Sequence, residues 1–126
     1  MNSVVIDSSG WLEYFSGGKK SKTFAEVLHG KQTILTPTLI LYEVYKKIAK
    51  EKTESDALLV VTQIEGRSEK LIPLDDELAI FAADISLQHK LALADAIIYA
   101  SALQEAATLM TRDHHFKDLE QVVLIE

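Results

Sequence analysis

Residues 91–116 read LALADAIIYASALQEAATLMTRDHHF, and one side chain in this stretch stands apart from its neighbours. Asp95 is the only charged residue between Leu91 and Gln104, in a segment otherwise made of Leu, Ala, Ile, Tyr, Ser and Gln. A helix that is apolar nearly all round belongs in the middle of a domain. A lone ionised carboxylate is costly there unless it is paired, hydrogen-bonded or bound to a cation. Asp95 therefore marks a candidate site.

Three further acids occur in comparable apolar surroundings. Asp113 comes two residues after the run TLMT at 108–111, Asp7 follows VVI at 4–6, and Glu43 stands among Leu, Tyr and Val. Carboxylates are the ligands that Mg²⁺ and Mn²⁺ prefer. An ion bound in this way activates water and stabilises charge on phosphate oxygens. The four acids together predict a divalent-metal site of the kind that cleaves phosphodiesters.

Three of these acids also have a purely structural interpretation. Asp7 suits a helix N-cap, although the two serines after it could cap equally well and leave its carboxylate free for metal. Asp95 suits a first-turn carboxylate stabilised by backbone N–H groups and the helix dipole. Asp113 suits a turn or cap residue before the HHF segment. Thr111 and Ser8 carry hydroxyls close to two of the acids and are predicted to support them.

Glu43 is followed by three lysines at helical spacing. Lys46, Lys47 and Lys50 stand at i+3, i+4 and i+7, on the same helix face. One interpretation is a ladder of ion pairs within the helix. The other is a basic strip that contacts a phosphate backbone beside the metal site. The sequence leaves both open.

Other chemistries lack support in the sequence. The chain has no cysteine, which excludes thiolate catalysis and cysteine zinc sites. It has no G-x-S-x-G elbow and no glycine-rich phosphate loop. No H-x-x-x-H or H-x-E pattern accompanies His114 and His115, so a zinc site is not expected and both are predicted at the surface. His114 is a candidate for substrate contact.

Length and composition predict one soluble, cytoplasmic domain. The 126 residues suit one core, and 48% hydrophobic with 25% charged residues is ordinary for a globular protein. We find no secretory signal and no apolar stretch that could span a bilayer. The net charge of −6 argues against a nucleic-acid partner, since such proteins are usually basic. The argument is weak, because metal binding to the four acids would offset most of this charge.

Short apolar runs alternate with helical segments, which predicts an α/β sandwich around a short, mainly parallel sheet. Strands are predicted at residues 4–6, 33–36, 71–74, 109–111 and 122–125. Helices are predicted after Asp7, at 23–29, from Pro37 with Thr36 as N-cap to about 52, at 53–65 with Gly66 as the stop, at 75–90 and at 93–107. Functional groups gather at the carboxyl ends of such strands, where Asp7 and Asp113 are expected.

Four segments in this order resemble the PIN-domain family, and specifically the small toxin ribonucleases of VapBC-type toxin–antitoxin systems. They are VVIDSSGWLEYF at 4–15, TPTLILYEVYKK at 36–47, LALADAIIYASA at 91–102 and LMTRDHHFKDL at 109–119. The resemblance covers nearly the whole chain. It implies a single PIN-like α/β/α sandwich over residues 1–126, with a central sheet of four to five strands.

The resemblance also implies functional residues and partners. Metal-binding acids would be Asp7, Glu43, Asp95 and Asp113, with Thr111 as a supporting hydroxyl and Asp118 as a further candidate acid. The protein would be a toxin endoribonuclease dependent on Mg²⁺ or Mn²⁺, inhibited by a cognate antitoxin and assembled as a homodimer. Two alternatives stay open, a non-catalytic protein-binding module and a nuclease that acts on DNA.

Overall fold

The computed structural model describes residues 2–126, and the strands in this range form one sheet in the order β3-β2-β1-β4-β5. Every neighbouring pair is parallel. The strands are β1 (Ser3–Ile6), β2 (Thr33–Pro37), β3 (Lys70–Ile72), β4 (Thr108–Thr111) and β5 (Val122–Leu124). The α/β sandwich around a short parallel sheet is thus confirmed.

Six α-helices connect and cover the strands in residues 2–126. They are α1 (Ser8–Ser16), α2 (Ser21–Leu28), α3 (Thr38–Glu51), α4 (Glu54–Arg67), α5 (Asp76–His89) and α6 (Leu93–Gln104). A short 3-10 helix, His114–Phe116, follows β4. No helix in this part of the chain combines the length and apolarity of a membrane span.

The core lies on both sides of β1 and under α6. Val5 and Ile6 are fully buried at the centre of the sheet, where β1 pairs with both β2 and β4. Every residue from Ala96 to Ala102 on α6 is buried, as its all-round apolarity predicts. The first turn differs, because Leu93 is 79% exposed. Asp95 therefore lies where α6 emerges from the core.

The predicted capping of α3 by Thr36 is wrong. Thr36 and Pro37 are the last residues of β2, and the helix begins at Thr38 without a side-chain cap. Thr36 is buried, and its hydroxyl lies 2.7 Å from the Ser68 hydroxyl. Its hydroxyl thus finds a partner on another element, which local sequence does not show.

Gly66 does not stop α4, which continues to Arg67. The Arg67 guanidinium donates to the carbonyl oxygens of Leu28 and Gln32, the latter at 3.0 Å, and pairs with Glu69 at 2.8 Å. These contacts hold the end of α4 against the preceding elements. They offset the weak helix propensity of an exposed glycine.

A strand and a helix, β3 and α6, end earlier than predicted. The strand β3 stops at Ile72, before Pro73, which has no N–H for the ladder. The helix α6 stops at Gln104 because Ala106 adopts a left-handed conformation with φ 51°, and the Ala107 N–H then donates to the Ala102 carbonyl at 2.9 Å. This sharp end turns the chain directly into β4.

Candidate metal centre

Asp7 stands at the carboxyl end of β1 and is also the N-cap of α1. Its Oδ1 accepts a hydrogen bond from the Ser8 N–H at 2.8 Å, so of the two capping possibilities that the sequence allowed, Asp7 is the cap and the serines are not. Its Oδ2 accepts from the Thr111 hydroxyl at 2.7 Å. Burial raises the pKa of Asp7, these hydrogen bonds partly offset the rise, and the charge of Asp95 adds to it. Capping and a place in the acidic cluster are therefore compatible.

The hydroxyl of Thr111 connects two of the acids. It donates to Asp7 Oδ2 and accepts from the Asp113 N–H at 2.9 Å. Thr111 is completely buried at the end of β4. The hydroxyl oxygen accepts from the Asp113 N–H, and its single proton is donated to the Asp7 carboxylate. Thr111 thus contacts two of the acids, and its supporting role stays a prediction.

Ser9 is a contact that the sequence did not single out. Its hydroxyl lies 3.1 Å from Asp7 Oδ2 and accepts from the Arg112 N–H at 3.0 Å. Ser8, which was predicted, acts mainly through its backbone, since its hydroxyl is 3.5 Å from Asp7 Oδ1. The DSS triplet could have indicated this contact. Ser9 is the second residue of α1, and a side chain at that position lies close to the residue that caps the helix.

Asp95 and Asp113 meet across the gap between the first turn of α6 and the loop after β4. Burial raises the pKa of Asp95, and the charge of Asp113 raises it further, while contact with His115 partly lowers it. The His115 Nδ1 lies 3.3 Å from Asp95 Oδ2 and 3.2 Å from Asp113 Oδ1. One ligand atom from each of the three side chains lies within 4.8 Å of the others.

The structure bears on two interpretations of the sequence here, one for Asp113 and one for the histidine pair. The structural role expected for Asp113 holds, since its Oδ1 accepts from the His115 N–H at 2.9 Å and caps the 3-10 helix. His115, rather than His114, reaches the acids. The two side chains diverge on a 3-10 turn, so their order in the sequence could not show which one faces the site.

Glu43 extends from α3 towards the same acids. Its Oε1 is buried and has no hydrogen-bond partner among residues 2–126. Burial raises the pKa of Glu43, the nearby Ser8 hydroxyl partly lowers it, and the charges of Asp7, Asp95 and Asp113 raise it again. All three other acids therefore lie close enough to act on Glu43.

Of the two interpretations that the sequence left open for Glu43 and its lysines, the ladder of ion pairs does not form among residues 2–126. Lys47 pairs with Glu51 at 2.7 Å. Lys46 donates to the Tyr42 hydroxyl at 3.4 Å and lies over the same ring. A cavity of about 400 Å³ runs beside Glu43 and is lined by Ser8, Leu12, Tyr42, Glu43, Lys46, Lys47, Lys50 and Glu51. The lysines thus border an open groove next to the acids.

Asp118 lies apart from this group. It is exposed, with φ 67°, and borders a different cavity with His89 and Tyr99. The acidic cluster therefore consists of Asp7, Glu43, Asp95 and Asp113, which four separate elements or their ends bring to the carboxyl edge of the sheet.

A divalent cation suits these residues chemically. The donors are hard carboxylate oxygens with one imidazole nitrogen at the rim. One oxygen of Glu43 is buried without a partner, which is unfavourable unless a ligand satisfies it. Burial raises the pKa values of Asp7, Glu43 and Asp95, and the charges of neighbouring acids raise them further, so positive charge among them would be stabilising.

Known proteins share this fold. The family model of the PIN domain matches residues 4–122. A toxin–antitoxin complex from Klebsiella pneumoniae contains a similar chain, with 22% identity, a TM-score of 0.79 and 95% of each chain covered. VapBC2 from Rickettsia felis, bound to a DNA fragment from their promoter, has 17% identity and a TM-score of 0.76 over 98% of this chain and 97% of that chain. VapC20 from Mycobacterium tuberculosis, a Sarcin-Ricin loop cleaving toxin, has 13% identity and a TM-score of 0.75 over 93% and 95%. No curated protein is significantly similar in sequence.

Proposed function

This chain belongs to the PIN-domain family. We propose that it is a metal-dependent endoribonuclease, the toxin of a toxin–antitoxin pair. The observation that carries the proposal is a group of acids at one edge of the sheet, where ligand atoms of Asp95 and Asp113 lie within 4.8 Å of each other and Asp7 and Glu43 are near enough for their charges to interact with this pair. We propose Asp7, Asp95 and Asp113 as direct or water-mediated ligands of Mg²⁺ or Mn²⁺. Such an ion, when bound, would lower the pKa of a coordinated water and stabilise charge on the phosphate.

Glu43 has a separate part in this proposal. Its Oε1 is buried, unpartnered and close to the three aspartates, so it can accept a hydrogen bond from the attacking water and hold it in place. Thr111 and Ser9 keep Asp7 fixed through their hydroxyls. Ser8 adds its N–H to the same carboxylate. These donors fix the acid before substrate arrives.

The lysines of α3 support a nucleic-acid substrate despite the net charge of −6. Lys46, Lys47 and Lys50 border the groove that leads to Glu43. A phosphate backbone lying along this groove would meet positive charge next to the metal site. RNA as the substrate is supported by the family resemblance and by the Sarcin-Ricin loop cleaving toxin among the structural neighbours.

We extend the proposal to partners and setting. Several neighbours are toxin–antitoxin complexes, which supports a cognate antitoxin that covers the groove. Large apolar side chains are exposed on α5 and α6, with Ile80 at 68%, Leu87 at 81% and Leu93 at 79%. Leu87 and Leu93 line one cavity between these helices, and exposed apolar side chains grouped in this way support a homodimer. A cytoplasmic, single-domain protein remains our proposal.

The test compares cleavage of an RNA and a single-stranded DNA of the same base sequence, with Mg²⁺ or Mn²⁺ and with EDTA. Asp95→Asn keeps the side-chain shape and removes the charge, so we expect cleavage to fall by about a hundredfold or more. Asp84→Asn, on the exposed face of α5, is the matched control and should retain activity.

The possible results separate the alternatives. Cleavage of DNA rather than RNA would assign the same chemistry to a different substrate. Absence of cleavage in the wild type, together with no effect of either metal on thermal unfolding, would favour a non-catalytic binding module. Full activity of Asp95→Asn would remove the proposed site.

A further inference from the structure

The imidazole of His115 contacts two acids of the site that come from different elements. We propose that His115 is a nitrogen ligand of the bound ion, and that it makes the site prefer Mn²⁺ over Mg²⁺. The inference rests on the proposed metal-dependent function and assigns a further residue to that site.

The distances from the His115 Nδ1 to the two carboxylate oxygens are compatible with three ligands of one ion. Its Nδ1 lies 3.3 Å from Asp95 Oδ2 and 3.2 Å from Asp113 Oδ1. Ligands bonded at about 2.1 Å and at right angles around an octahedral ion are separated by about 3.0 Å. The carboxylate oxygens of Asp95 and Asp113 lie within 4.8 Å of each other as well, so the three ligand atoms are grouped closely enough to bind one ion after adjustment of the side chains.

The chain around His115 keeps the imidazole at this place. Its backbone N–H donates to Asp113 Oδ1 at 2.9 Å. The next residue, Phe116, is completely buried, and its ring lies 6.3 Å from that of Tyr99. The short 3-10 helix is therefore fixed at both sides, although the His115 side chain itself is 76% exposed. An exposed ring on an anchored turn can rotate to bind an ion without disturbing the core.

An imidazole ligand changes which ion the site favours. Mg²⁺ prefers oxygen ligands and water, whereas imidazole suits the later divalent metals better. Mn²⁺ accepts both carboxylate and imidazole ligands. It is the weakest binder of the first-row transition series, so a change in its affinity is a stringent test of the nitrogen ligand. Replacing the nitrogen should weaken Mn²⁺ binding more than Mg²⁺ binding.

A different role for His115 predicts the opposite result. If the ring serves only as a counter-charge between Asp95 and Asp113, it competes with metal. Its removal would then strengthen binding of both ions, since it leaves the two carboxylates unopposed. The direction of the change in affinity therefore distinguishes a ligand from a counter-charge.

The experiment measures Mn²⁺ and Mg²⁺ dissociation constants by calorimetry, and pulsed EPR of bound Mn²⁺, on the full chain. The variant is His115→Ala, and His114→Ala is the matched control because His114 is the exposed neighbour on the same turn and outside the cluster. We expect His115→Ala to weaken Mn²⁺ binding by about tenfold or more. Mg²⁺ binding should change much less, and the ¹⁴N coupling seen in the wild type should disappear. His114→Ala should match the wild type in all three readouts.

Each other outcome has a definite meaning. Equal changes for the two metals, tighter binding, or ¹⁴N coupling that survives in His115→Ala would overturn the role of His115 and leave the proposed nuclease intact. Failure of the wild type to bind either ion would overturn the proposed function as well. Circular dichroism serves as the control for folding, and both variants should fold because the two side chains are exposed.

Discussion

At the scale of single residues, Thr111 matters most to the geometry of the acids. Its hydroxyl contacts Asp7 Oδ2 at 2.7 Å and the Asp113 N–H at 2.9 Å, and no part of the residue is exposed. Hydrogen bonds to a buried carboxylate are stronger than neutral ones. Thr111 thus fixes the separation of two acids that lie far apart in sequence.

We expect Thr111→Val to destabilise the fold by about 1–3 kcal/mol, because it removes a hydrogen bond from a buried carboxylate and another from a backbone N–H. Cleavage of RNA should fall as well. The measurement is urea unfolding with a parallel RNA assay. Thr108→Val, at the start of the same strand β4, is the isosteric control and should cost less. Equal losses in the two variants would show that the hydroxyl network is not the cause.

At the scale of elements, α1 must lie close to the sheet for the Ser9 hydroxyl to reach Thr111 at the end of β4 and the N–H of Arg112. Gly10 permits this approach. A Cβ atom at Gly10 would lie 2.6 Å from Phe24 Cε1 and 2.7 Å from Ile6 Cγ2, closer than side chains pack. The absence of a side chain at Gly10 therefore sets the distance between α1, α2 and β1.

Gly10→Ala should destabilise the protein by about 1–3 kcal/mol, because the methyl group overpacks the core. Gly66→Ala is the matched control, since Gly66 lies within α4 with no atom within 4 Å of an added Cβ. We expect it to stabilise the protein by about 0.5–1 kcal/mol, as alanine is the better helix former. Unfolding in urea measures both changes. A gain in stability for Gly10→Ala would contradict the close packing described here.

At the scale of the whole molecule, the fold holds Asp7, Glu43 and Asp95 at raised pKa values, with burial as the largest cause. The folded protein therefore binds protons at these groups more tightly than the unfolded chain. Their charged forms oppose folding at neutral pH, and this opposition disappears as the pH falls below the ordinary carboxyl value of about 4. The metal-free molecule is thus destabilised by its own site.

Asp95→Asn should accordingly raise the melting temperature of the metal-free protein at neutral pH by a few degrees. The gain should shrink as the pH is lowered, since the wild-type carboxylate becomes protonated and resembles the amide. Thermal unfolding in EDTA over a pH series measures this difference. Asp84→Asn, exposed on α5, should show no such pH-dependent gain. A gain that grows towards acid pH would have the wrong sign and would contradict a raised pKa of Asp95 in the folded protein.

Much of the fold follows from local pattern. The runs VVI, TILT and TLMT predict buried strands, and the all-round apolarity of ALADAIIYASA predicts a buried α6, as observed. The sequence also singles out Asp7, Glu43, Asp95 and Asp113, because a charge in an apolar segment is costly wherever that segment folds. The cost is a property of the neighbours along the chain, so it is visible before any contact is known.

Only the tertiary structure decided which groups meet. Ser9 accepts from the Arg112 N–H, His115 rather than His114 reaches Asp95, and the lysines of α3 border a groove instead of pairing with Glu43. Thr36 likewise lies in a strand because β2 pairs with β3, where Thr36 is opposite Leu71, and its hydroxyl contacts that of Ser68, 32 residues away. These outcomes depend on helix rotation and on parallel pairing between distant strands. Periodicity fixes which face of an element is apolar, whereas the contacts of its polar atoms depend on elements brought together only by folding.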